Sequence, residues 1–178
     1  MEESGVQLLC FELCGEKFAF NLDYLVEIVR IQAGEITPWY SPVPIIRGKW
    51  NYRGQTLCVI DMREFFGLET PAVTRMQEAG TYDLEQERGT KSILVVMIQN
   101  RLFGMLTDRV LQMQPLIQYY EYPALISTLP RRYFAGISMR EAELVLLLAI
   151  EDFVRDYEWE TLSQELTASV ESSLASVA

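Results

Sequence analysis

Asp61 and Asp108 are two carboxylates placed alike, each closing a short apolar run that reads as a strand. Facing each other across a cleft, such a pair could serve as acid and base on a glycoside, provided the carboxylates lie within roughly 10 Å. An aspartate at a strand end equally suits capping of the next turn. The chain contains no histidine, so the commonest general base, proton shuttle and metal ligand is absent, and no metal or cofactor is expected. No Gly-x-Gly-x-x-Gly or phosphate loop ending in Gly-Lys-Ser/Thr occurs. The cysteines Cys10, Cys14 and Cys58 lack a Cys-x-x-Cys spacing, and Cys10 and Cys14 fall on one face of a strand, which suits packing in a reduced compartment better than redox work. Arg53 is different. It stands between Tyr52 and Gly54, three residues from Trp50, and a fixed charge among aromatics at a turn has the composition of an interaction hot spot. Arg47 and Lys49 widen the positive patch, which favours an acidic partner surface.

These residues need elements to hold them. Pro42 and Pro44 bias their neighbours to extended backbone, and Gly48 and Gly54 flank Lys49-Trp50-Asn51-Tyr52-Arg53, so a β-hairpin is expected there, closing on Val59-Ile60-Asp61. Before it, Leu8 to Leu13 and Phe18 to Leu22 read as strands joined by a tight turn, followed by a turn and a strand through Ile28 to Ile31. A short helix is expected from Arg63 to Gly67. The stretch 69–91, with Pro71, Gly80 and Gly89, loses apolar periodicity and reads as a polar connecting loop. Strands resume at Ser92 to Ile98, Leu102 to Leu106, Val110 to Met113, Tyr133 to Met139 and Leu144 to Ile150. In the tail, Trp159, Leu162, Leu166, Val170, Leu174 and Val177 recur three or four apart, which predicts an acidic amphipathic helix over 156–178 that packs on the body, self-associates or frays.

An internal repeat organises the whole. Phe18, Leu22 and Val26 match Leu102, Leu106 and Val110 at a constant spacing of 84, and Gly48, Leu57, Ile60 and Phe65 match Gly136, Val145, Leu148 and Phe153 at a spacing of 88. Two halves of about five short strands each predict an all-β fold of two small barrels. Where the first half has Trp50-Asn51-Tyr52-Arg53, the second has Ser138-Met139-Arg140-Glu141, so a site built from those residues exists once.

The chain has 178 residues, 49% of them hydrophobic, and a formal net charge of -10, enough apolar material for a sizeable core and no concentrated basic patch for nucleic acid or an anionic membrane. Residues 1 to 10 show neither the basic segment nor the long apolar core expected of a signal peptide, and no apolar run approaches the ~18 residues that a membrane span requires.

Gly48-Lys49-Trp50-Asn51-Tyr52-Arg53-Gly54, followed by Val59-Ile60-Asp61-Met62-Arg63 and Phe65-Phe66-Gly67, resembles the Gly-x-x-Asn-Leu-Arg-Gly and Asp-Leu-Arg signature of CheW-like chemotaxis coupling proteins. Phe11-x-Leu13, Val26-Glu27-Ile28, Gly104-x-x-x-Asp108-x-Val110 and Gly136 extend the resemblance over residues 7–155. It implies a non-enzymatic, cytoplasmic adaptor of two intertwined SH3-like five-stranded barrels, the first over roughly 15–68 and the second over roughly 92–155 with the N-terminal strand. Such adaptors bridge the cytoplasmic tips of chemoreceptors in membrane-associated arrays to the regulatory domain of a CheA-type histidine kinase.

Carried over by motif, the receptor-facing residues are Arg53, Glu27, Trp50, Tyr52, Val110 and Met113, and the kinase-facing ones Leu25 and Val43. Tyr52 replaces the usual Leu, Trp50 is bulkier than the common occupant, and Thr107 and Ala149 replace the usual Val and Asp. The aromatic changes keep open a specialised chemosensory system whose output is not motility. A regulatory-domain fragment of a histidine kinase remains an alternative, as does a proline-peptide binder using Trp39, Tyr40 and the tyrosines at 119 to 122.

Overall fold

The computed structural model describes residues 5–32, 34–39, 46–68, 91–121 and 131–152. In chain order the strands are β1 (Gln7–Leu13), β2 (Glu16–Asn21), β3 (Leu25–Ile31), β4 (Thr37–Pro38), β5 (Ile46–Tyr52) and β6 (Gln55–Asp61). After the one-turn helix α1 (Met62–Phe66) come β7 (Lys91–Ile98), β8 (Arg101–Thr107), β9 (Arg109–Pro115), β10 (Phe134–Arg140) and β11 (Glu143–Leu148). The expected 156–178 helix and Val43 lie outside the described residues, as does all but the last residue of the 69–91 connection.

Four of the described hairpins turn on two residues with positive φ at both: Cys14-Gly15, Arg53-Gly54, Gln99-Asn100 and Glu141-Ala142. Such turns match the right-handed strand twist and so fix the register of each hairpin. Cys14 and Gly15 form the tight turn expected between the first two strands, so Cys14 does not share a strand face with Cys10. Ala142 holds a φ of 64°, where its methyl group is unfavourable. Ala142→Gly is expected to stabilise the fold by about 0.5–1 kcal/mol, the relief of that strain less the added freedom of the unfolded chain. The check is a higher urea midpoint at unchanged slope.

The strands form two mixed sheets, one in the order β10-β11-β2-β1-β9 and the other in the order β3-β7-β8-β6-β5-β4. Residues 15–68 and 92–155 therefore each contribute to both sheets. With β1 counted beside β2, the first two strands of each half pair into the sheet of the other. Parallel pairs make the two exchanges, Val59 opposite Gly104 and Leu147 opposite Ala19. Among the described residues no ladder joins the edge strands β9 and β10. They meet instead through Arg140, which donates to Gln114 at 2.8 Å, and Tyr120, beyond the end of β9, bridges to Ile137 of β10.

Registers show the duplication and correct its spacing. Leu25 lies opposite Val96 as Val110 lies opposite Phe11, and Ile28 opposite Leu94 as Met113 opposite Leu9. The equivalence of the first three strands is thus 85 residues rather than 84, while 88 holds for the hairpins, where Gly48 faces Val59 as Gly136 faces Leu147. Apolar letters alone do not distinguish neighbouring spacings, yet one residue of slip moves every side chain to the other face.

The central core lies between the sheets and includes Leu9, Phe11, Phe20, Leu94, Val96, Phe103 and Met105. Each sheet buries its second face too, one over Trp50, Tyr52, Leu57, Ile93 and Val95, the other over Leu8, Cys10, Ala19, Val145 and Leu147. Burial on both faces explains why Ile93 to Val96 read as an unbroken apolar run.

Candidate functional site

The hairpin of β5 and β6 carries the Arg53 site. Its turn needs positive φ at Arg53 and Gly54, which glycine supplies freely, and the Asn51 side-chain oxygen accepts from the Gly54 amide at 3.0 Å. Glu27 approaches from β3. The Tyr52 hydroxyl donates to Glu27 Oε2 at 2.5 Å, and Arg53 Nη2 donates to the same oxygen at 2.9 Å. The guanidinium also lies 5.3 Å from the Tyr52 ring centroid. One carboxylate oxygen thereby holds two donors, and the Tyr52 hydroxyl, followed by the Arg53 charge, keeps the Glu27 carboxyl below the usual carboxylate range. The Tyr52 phenol is pushed up in turn by that bond.

Arg53 remains presented to solvent, its side chain 73% exposed. Trp50 and Tyr52 do not. Their rings, expected to offer contact area, are 7% and 8% exposed and pack on each other beneath the site. The cause is alternation along β5, which turns Gly48, Trp50 and Tyr52 inward together. They support the guanidinium from below, and the exposed chemistry reduces to Arg53 with Glu27.

The remaining candidates occupy other places. Leu25 on β3 and Val110 on β9 are equivalent positions of the two halves, both partly buried against the core between the sheets. Met113 is 56% exposed on β9. The described hydrogen bonds and ion pairs do not connect them to Arg53.

Asp61 and Asp108 do come together, though not in an open cleft. Asp61 is buried and accepts from the Arg63 backbone N–H at 3.0 Å, Nε at 3.1 Å and Nη2 at 2.9 Å. Arg63 Nη1 lies 3.6 Å from Asp108 Oδ1, and Asp108 Oδ2 accepts from the Cys14 amide at 2.8 Å. Both carboxylates are capping groups joined by one guanidinium, an arrangement that ties α1 and β6 of one sheet to the β1–β2 turn of the other. The sequence signal is the pairing of Asp and Arg two apart at a helix start, which marks a cap and not an acid/base pair. Burial raises both the Cys10 and Cys14 thiols above the usual thiol range. Among the described residues no group of His, Cys, Asp or Glu is arranged to hold a metal ion.

Comparison with known proteins agrees with this geometry. The chain is similar in structure to the scaffolding protein TtCheW from Thermoanaerobacter tengcongensis, with a TM-score of 0.67 at 18% identity over 87% of this chain and 92% of that one. No curated protein matches. The model of the CheW-like domain matches residues 7–158, and with its two exchanged sheets and Asn-x-Arg-Gly hairpin the chain belongs to the CheW-like domain family.

Proposed function

We propose that this protein is a chemosensory adaptor that couples chemoreceptors to a CheA-type histidine kinase by protein contacts alone, working in the cytoplasm at membrane-associated receptor arrays. The observation that carries the reading is the Arg53 guanidinium, exposed yet held in place by Glu27 and the Tyr52 ring. A side chain ordered in advance loses less entropy on docking, and a fork of donors suits carboxylates on a receptor helix bundle. Val110 and Met113 add apolar contacts to the receptor surface, and Leu25 with Val43 contribute to the kinase surface. Two weak interfaces suffice when many copies bind together in an array. No described helix is long and apolar enough to cross a membrane, and the receptor supplies the recruitment in this reading.

The test is reconstitution. Receptor signalling fragments, the kinase and this protein are mixed on vesicles, and kinase autophosphorylation is followed with and without the adaptor. Stimulation that requires all three components is the expected result, and kinase activity indifferent to the adaptor would overturn the reading. The aromatic core under the site, unusual for the family signature, favours a dedicated receptor; stimulation by one receptor class and not by others is the corresponding observation.

A further inference from the structure

The position equivalent to the Arg53 site on the other sheet is a pocket. With spacings of 85 and 88, Gln112 stands for Glu27, Gln114 for Val29, Ser138 for Trp50, Arg140 for Tyr52 and Glu141 for Arg53. Two rings that fill the second face of the β3-β7-β8-β6-β5-β4 sheet are thus replaced by a hydroxyl and a guanidinium. The space left is about 220 Å³, floored by Cys10, Leu111 and Val145. That is roughly seven times the liquid volume of a water molecule, suited to a small metabolite.

Its polar groups are unevenly satisfied. Gln114 is only 5% exposed, and its Oε1 accepts from Gln112 at 3.2 Å and from Arg140 at 2.8 Å. Its Nε2 donates to no other described residue, and a buried amide donor without an acceptor is a costly feature unless something else supplies one. Arg140 binds that neutral oxygen and pairs with no carboxylate among the described residues. Glu141, also lining the pocket, pairs with no cation among them. Lys17 and Glu143 satisfy each other at the edge.

A cation with a spare donor beside it and a separate free carboxylate in one small cavity complement a zwitterion. We propose that this pocket binds a free α-amino acid, its carboxylate held by Arg140 and the Gln114 amide and its ammonium group by Glu141. The site is separate from the Arg53 surface and does not depend on the adaptor reading.

Isothermal titration calorimetry of the full chain with glycine, L-alanine and L-glutamine tests it, with acetate, L-alaninamide and N-acetyl-L-alanine as single-charge controls. Saturable binding of at least one amino acid, and weaker binding of every control, is expected. Arg140→Gln and Gln114→Val should each weaken that binding about tenfold or more, as expected for loss of a charge-assisted or buried hydrogen bond. Arg140 is exposed at a hairpin end and Val is the residue of the other half, so both variants should keep the native circular dichroism spectrum. No saturable binding by the wild type, equal binding of acetate, or unaltered binding by both variants would each overturn the proposal.

Discussion

Arg53→Glu is expected to abolish sedimentation of this protein with receptor-bearing vesicles while leaving its circular dichroism and thermal midpoint nearly unchanged. The side chain is 73% exposed and its partner Glu27 is partly so, and an exposed ion pair contributes only about 0–1 kcal/mol to folding. Reversal therefore costs the fold little. At an interface the same change replaces a guanidinium by a carboxylate facing acidic groups, and it sets that new carboxylate against Glu27. Loss of a hot-spot arginine costs about 2 kcal/mol or more, and the added repulsion takes the expected loss of affinity beyond roughly a hundredfold. Arg53→Lys should also bind more weakly, since an ammonium neither forks onto a carboxylate nor stacks on Tyr52 in the same way. The double exchange Glu27→Arg with Arg53→Glu should restore the internal pair and not the receptor affinity. Wild-type sedimentation by Arg53→Glu would remove Arg53 from the receptor surface.

The largest effect on stability is expected from Arg63→Ala. Asp61 is 2% exposed, and among the described residues Arg63 supplies both side-chain donors to its carboxylate. Removing one partner of a buried pair leaves a desolvated charge, which costs about 3–5 kcal/mol. Arg63 keeps 19% of its side chain exposed, and water reaching the gap places the expected loss near the lower end, about 3 kcal/mol. For a domain of this size that lowers the thermal midpoint by roughly 6–12 °C. The same substitution frees Asp108 from its cation and loosens the turn at Cys14, so the two sheets lose a polar tie as well. Differential scanning calorimetry of Arg63→Ala beside Arg53→Ala makes the contrast: a drop of several degrees in the first and almost none in the second. Equal midpoints would mean that Asp61 finds other donors when Arg63 is removed.

The two arginines show how far residue types carry an argument. Both occur in short motifs near glycine or aspartate, and both were legible as members of a family signature. Their opposite roles follow from what surrounds them. Arg53 sits at a turn where the strands end and solvent begins, whereas Arg63 lies where one sheet leans on the other. Trp50 and Tyr52 fall between these cases. Alternation along β5 is visible in the sequence, but which of its faces is buried is decided by the cluster it joins with Ile93 and Val95 of β7, about forty residues further along the chain.

Taken alone, the sequence determined every described strand but the two-residue β4, which lies in a stretch that reads as loop, together with the positions of the hairpins, the absence of histidine chemistry and the existence of a repeat, because alternation, turn residues and composition are local properties. It also placed the Asn-x-Arg-Gly hairpin with Arg53 at its tip. Tertiary structure decided the rest: that each half lends two strands to the other's sheet, that the repeat spacing over the first three strands is 85, that Asp61 and Asp108 share one guanidinium, and that Arg140 opens a cavity where Tyr52 closes one. Each of these depends on pairing between strands far apart in the chain. Such pairing is set by the summed burial of whole faces, a quantity that no short run of residues contains.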